Sequence, residues 1–80
     1  MWYVYIIKSI QHNRYYIGCS NNLNRRLNEH NEGYNISTKF YKPWVLVHCE
    51  KYNNQEEAYS REKKIKSYKG GNAFKKLLNI

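Results

Sequence analysis

The chain contains no aspartate. Every side-chain carboxylate is therefore one of six glutamates: Glu29, Glu32, Glu50, Glu56, Glu57 and Glu62. A dyad of paired carboxylates is hard to assemble from so few, and any metal site must lean on a single carboxylate. Cysteine is as scarce. Cys19 and Cys49 stand far apart, outside any zinc-ligand spacing, and read as free thiols. A Cys19–His30 nucleophile pair is less expected than a small, partly buried Cys19 at the end of a strand. One proline and four glycines exclude a fibrous or disordered chain. No apolar run approaches the roughly 20 residues that cross a bilayer. The opening Trp2–Ile7 is too short for a secretory signal, so no membrane partner and a cytoplasmic location are expected.

What is present is aromatic and basic. Nine Tyr, two Trp and two Phe supply a small core built on rings. At 80 residues and 9.8 kDa the chain reads as a single domain, 1–80, of the size that buries only about 60% of its unfolded surface. Fourteen Lys and Arg against six acids give a net charge of +8 and a pI near 9.6. The excess gathers late: Arg61, Lys63, Lys64, Lys66, Lys69, Lys75 and Lys76 face only Glu62 beyond position 60. Such a stripe is the electrostatic footprint of a polyanion binder, because neutralised phosphates release condensed counterions. A solvated basic helix face is the bland alternative. A membrane-surface helix fits less well, since the last segment lacks a broad Leu/Trp face.

Alternating Tyr, Val and Ile over Trp2–Ser9 predict a strand with Trp2, Val4, Ile6 and Lys8 on one face and Tyr3, Tyr5, Ile7 and Ser9 on the other. After the polar break Gln11–Asn13, Arg14–Gly18 predicts a second strand, antiparallel to the first. Asn21 or Asn22 is an N-cap for a helix to about Asn31, stopped by Gly33. Tyr34–Lys42 reads as a polar, mobile loop. The most apolar stretch, preceded by Pro43, predicts a third strand, Trp44–Tyr52. Asn54, with Glu57 three residues on, resembles a capping box and opens a helix to about Lys69. Gly70-Gly71 ends it, and Ala73–Leu78 makes a last short helix. The expected fold is α+β: a small three-stranded sheet with an N-terminal β-hairpin, flanked by helices, in the order β-β-α-β-α-α.

The informative residues are polar groups at core-facing helical positions. Leu23, Arg26, Leu27 and His30 fall at i, i+3, i+4 and i+7 and share one face. Arg26 and His30 are thereby held against the sheet, while Arg25 and Asn28 point elsewhere. Ala58, Arg61, Glu62 and Ile65 repeat the spacing and draw Glu62 inward. A carboxylate seldom enters a core unpaired, so Glu62 wants a cation. Arg26 would serve, giving a purely structural salt bridge, and so would a metal ion.

Tyr3-Val4-Tyr5 and Tyr16-Ile17-Gly18 on successive strands, Arg26 in the next helix, and Glu62 within Glu57-Ala58-Tyr59-Ser60-Arg61-Glu62 together resemble the GIY-YIG nuclease superfamily. The likeness runs from Trp2 to about Leu78 and is greatest to small bacterial members of unknown substrate. The resemblance implies a divalent-metal-dependent endonuclease that hydrolyses phosphodiester bonds in DNA with one Mg²⁺ or Mn²⁺ ion. It implies Glu62 as metal ligand, Tyr5 as the group that positions or deprotonates the attacking water, and Tyr16 lining the site. Arg26 would stabilise the phosphate in the transition state, and His30 would assist proton transfer. These roles suit the chemistry, which needs an activated water and counter-charge for an oxyanion. Many relatives carry a Lys shortly after the second motif, where Cys19 stands here. Arg25, Lys63, Lys66, Lys69 and Asn72 are the expected nucleic-acid contacts. A monomer acting with structure selectivity, or weak sequence specificity, on branched or single-stranded DNA is expected. Two other readings stand beside it: a non-catalytic basic nucleic-acid-binding module on the same scaffold, and a structural accessory in which Arg26 and Glu62 merely pair.

Overall fold

The structure, a computed structural model, describes residues 1–80. It has the element order expected from the sequence: β1 (Trp2–Ser9), β2 (Tyr15–Ser20), α1 (Leu23–Glu32), β3 (Trp44–Tyr52), α2 (Gln55–Ser67) and α3 (Asn72–Leu78). The three strands form one antiparallel sheet in the order β2-β1-β3, an α+β fold. β1 is the middle strand and is hydrogen-bonded on both sides.

Alternation along β1 splits the core in two, because neighbouring side chains leave a strand on opposite faces. Val4 and Ile6 pack with Ala58 and Ile65 of α2 and Phe74 of α3. Tyr5 and Ile7 pack with Trp44, and Leu23 and Leu27 of α1 close that side. The sheet is thus covered by α2 and α3 on one face and by α1 on the other. The two-faced reading of Trp2–Ser9 is what places Tyr5 beneath α1.

The helix ends are built as the caps predict. The Asn22 side chain accepts from the Arg25 amide at 3.1 Å, and Gly33 takes a left-handed φ of 83° that ends α1. Asn54 accepts from the Glu57 amide at 2.9 Å, while its own side-chain amide donates to the Glu57 carboxylate at 2.9 Å.

The structure departs from expectation at three places. β2 begins at Tyr15 and continues through Ser20, because its pairing with β1 runs past Gly18 to Tyr3↔Ser20. α2 stops at Ser67 rather than Lys69, since Lys69 and Gly70 already have positive φ. Tyr34–Lys42 is not an irregular tether: it holds a 3₁₀ turn at Lys39–Tyr41, and Thr38 is buried. The Trp44 indole N–H donates to the Thr38 carbonyl at 2.9 Å, which pins the segment against the start of β3.

Candidate active site

The site begins at one missing side chain. Tyr5 and Gly18 are cross-strand partners, and a Cβ at Gly18 would lie 2.4 Å from the Tyr5 hydroxyl oxygen. Only glycine lets the Tyr5 ring pass over edge strand β2. The sheet edge there opens into a hollow of about 380 Å³. Tyr5, Tyr16 and Gly18 come from the strands, Arg26 from α1, and Tyr59, Glu62, Lys63 and Lys66 from α2, with Cys19 beside them. Two helices from opposite faces of the sheet therefore meet over one edge. The α2 residues 59, 62, 63 and 66 are spaced i, i+3, i+4 and i+7, so they form a single helical stripe.

Tyr5, Tyr16, Arg26 and Glu62 are thus brought together. His30 is not in the hollow. It is wholly buried behind Tyr5, with Nε2 2.9 Å from the Tyr5 hydroxyl and Nδ1 2.8 Å from the Thr38 hydroxyl. The Thr38 hydroxyl donates to the Asn35 carbonyl at 3.4 Å. It then accepts from Nδ1–H, which leaves the Nε2 lone pair facing the Tyr5 O–H. Asn31 fixes this end of α1: its side chain donates to the Trp44 carbonyl at 3.1 Å and accepts from the Trp44 amide. The Tyr16 ring leans against the pair, its centroid 4.8 Å from that of His30 and its plane tilted by 58°.

The electrostatics follow from this burial. Desolvation pushes the Tyr5 phenol up to about 12, against the pull of the nearby Arg26 guanidinium. Burial, with Arg26 adding to it, lowers His30, so the imidazole rests neutral. Burial also raises the Cys19 thiol, with Glu62 adding to it, so Cys19 is a protonated wall residue and no nucleophile.

The structural salt bridge between Arg26 and Glu62 does not form. Arg26 pairs with Glu29 at 3.0 Å, and Glu62 Oε2 takes Lys66 Nζ at 2.6 Å. Each finds its partner one turn away on its own helix, where the α-helical spacing places it without any tertiary adjustment. The reading that depended on their pairing is thereby overturned. The strap between helix and sheet is Arg61, whose Nε and guanidinium NH₂ donate to the two Glu50 oxygens of β3 at 2.8 and 3.0 Å.

Among the expected nucleic-acid contacts, Lys63 and Lys66 line the hollow and Arg25 lines an adjoining one. Lys69 and Asn72 are exposed beyond the end of α2 and line neither. Thr38 and Tyr59 are site residues that sequence reasoning passed over. Tyr59 had a signal, its place three residues before Glu62 on the same stripe. Thr38 had none, since its role depends on how the 34–42 segment folds back.

Fold and site together define a small nuclease-type protein, a class that implies a nucleic-acid substrate. A family model described as the GIY-YIG catalytic domain matches residues 1–75, and the chain belongs to that family. Its relatives include a UPF0213 protein of Staphylococcus haemolyticus, 39% identical over 67 residues that make up 82% of this chain and 80% of that protein. A UPF0213 protein of Staphylococcus aureus is 37% identical with the same coverage. The solution NMR structure of a UPF0213 protein from Bacillus halodurans is 27% identical, covers 91% of this chain and 90% of that one, and superimposes with a TM-score of 0.49.

Proposed function

We propose that the chain is a divalent-metal-dependent endonuclease that hydrolyses phosphodiester bonds in DNA. The observation that carries this is the meeting of two phenols, a guanidinium and a single carboxylate in one open hollow rimmed by Lys63 and Lys66. A solvated basic face would not need Tyr5 threaded over a glycine into the same space.

The donor set fits a hard cation of the Mg²⁺ type. No cluster of three or more His, Cys, Asp or Glu side chains is present, so a metal would hold to Glu62 and keep most of its waters, as Mg²⁺ commonly does. Lys66 engages only one oxygen of Glu62 and is itself half exposed, free to swing aside. A cation held there would supply counter-charge to the phosphate oxygens and the leaving group. Arg26 faces the same space with planar donors suited to phosphate. Tyr5 orients the attacking water and takes its proton at Oη as its own hydroxyl proton passes to His30 Nε2. His30, neutral and acceptor-facing, is the sink that allows a phenol raised to about 12 to act near neutral pH. Lys63 and Lys66 bring to the hollow the positive charge that Cys19 does not.

The test is cleavage of single-stranded, branched and duplex DNA with Mg²⁺ or Mn²⁺. Glu62→Ala and Arg26→Ala are each expected to lower the rate at least about 10²-fold, with far-UV circular dichroism and melting unchanged. Salt-sensitive DNA binding without cleavage under any divalent metal would instead establish the non-catalytic module.

A further inference from the structure

The hollow does not end at Glu62. Cys19, Arg26 and Tyr59 also line a second depression of about 190 Å³, walled by Trp2, Asn21 and Arg25. The two spaces therefore share three residues and form one groove along the β2 edge. Its far wall is aromatic. Trp2 and Tyr59 meet with ring centroids 6.3 Å apart and planes at 66°. That angle makes a corner rather than a slot: a flat ligand stacks on one ring and turns its edge to the other. Tyr59 is 48% exposed, far more than a tyrosine recruited to the core. Arg25 is similarly open and only loosely held, 3.7 Å from Glu29.

We propose that this corner seats one unstacked nucleobase adjoining the phosphate held in the main hollow, and that the enzyme therefore prefers single-stranded DNA. The proposal rests on the main hollow being the phosphate seat. Its own basis is the chemistry next door: an aromatic corner suits the π-face of any base, and Arg25 and Arg26 flank it with charge for the phosphodiester on either side. Lipid or protein partners would not call for an aromatic corner continuous with a phosphate-directed guanidinium. A base inside a duplex is stacked on both faces and cannot enter without being extruded. A single strand offers its bases at no such cost.

Trp2 provides the readout, because Trp44 is buried on the other side of the sheet while Trp2 is partly exposed at the corner. Binding is measured in EDTA, with no metal and no cleavage, to a mixed-sequence single-stranded oligodeoxynucleotide and to its blunt duplex. The single strand is expected to quench the emission, and Trp2→Phe to abolish the change. Tyr59→Ala is expected to weaken single-strand binding about 10-fold and leave duplex binding unaltered. Tyr59→Phe, which retains the ring, is expected to bind as wild type, so a loss in Tyr59→Ala with an unchanged melting temperature reports the lost stack. Equal affinity for single strand and duplex, or Trp2 emission unmoved at saturation by the single strand, would overturn the proposal. The assay contains no metal and needs no cleavage, so a protein that never cleaves can still pass or fail it.

Discussion

Thr38 lies outside the hollow, yet it decides which nitrogen of His30 carries the proton and so leaves Nε2 as the acceptor facing Tyr5. Its hydroxyl bonds Nδ1 at 2.8 Å in a fully buried setting. Thr38→Val keeps the shape and removes the acceptor. The unpaired imidazole N–H should cost about 1–3 kcal/mol of stability by urea unfolding. Cleavage should fall as well, because without that acceptor the ring is free to adopt the tautomer that puts its N–H on Nε2, toward the Tyr5 hydroxyl. Thr38→Ser should recover both. Since burial lowers His30, wild-type activity should persist below neutral pH and fall only when the ring protonates, and a pH–rate profile measures that limb. Individual residues differed sharply in how readable they were. Tyr5, Tyr16, Arg26 and Glu62 were legible because a resemblance spans them and because helical spacing turns Arg26 and Glu62 inward. The burial of His30 was half legible: its face was predicted, its partners were not. Thr38 depends on a fold-back that no local pattern in Tyr34–Lys42 encodes.

At the scale of elements, α2 carries two overlapping stripes. Ala58 and Ile65 hold it to the sheet, while Tyr59, Glu62, Lys63 and Lys66 face the hollow. Arg61, on the side of the apolar stripe away from the hollow, fixes the roll of the helix by gripping Glu50, which also accepts from Tyr52 at 2.6 Å and from His48 at 2.8 Å. Burial works to raise the Glu50 carboxyl, but these donors prevail and hold it at about 2. A carboxyl whose folded pKa lies below its ordinary value stabilises the fold above about pH 5, and that contribution drains away as pH falls toward 2. Glu50→Gln should therefore lose on the order of 2 kcal/mol at pH 7. The gap to wild type should close near pH 2 to 3 in denaturant titrations. The helical period anticipated this face correctly and misassigned its ion pair. Periodicity says which way a side chain points, but the choice among cations within reach is made by three-dimensional distance, and Glu50 enters only once β3 is placed beside β1.

Across the whole molecule, the charge of +8 is not evenly useful. Arg25, Arg26, Lys63 and Lys66 line the groove, while Lys75 and Lys76 ride exposed on α3. If the four groove cations each neutralise one phosphate, single-strand affinity should fall with a log–log salt slope near −2.8, about 50-fold between 50 and 200 mM salt. Fluorescence titration across that range checks it. Replacing Lys75 and Lys76 together should leave the slope nearly unchanged. Composition predicted a polyanion partner but could not rank the cations, because a lysine's distance from the reacting phosphate is a property of the assembled fold.

The placement of Tyr5 on the middle strand has a consequence for the timing of local opening. Amides in β1 are tied to neighbours on both flanks and should exchange with deuterium only when the entire chain unfolds, whereas those in the first turn of α2 should exchange through fraying. The phenol is thus bolted to the most persistent part of the protein, and Glu62 follows on a helix whose first turn, before Ala58 docks on the sheet, is the part free to fray. Solvent exchange followed residue by residue should reveal a cleft with one stationary jaw and one whose outer end yields.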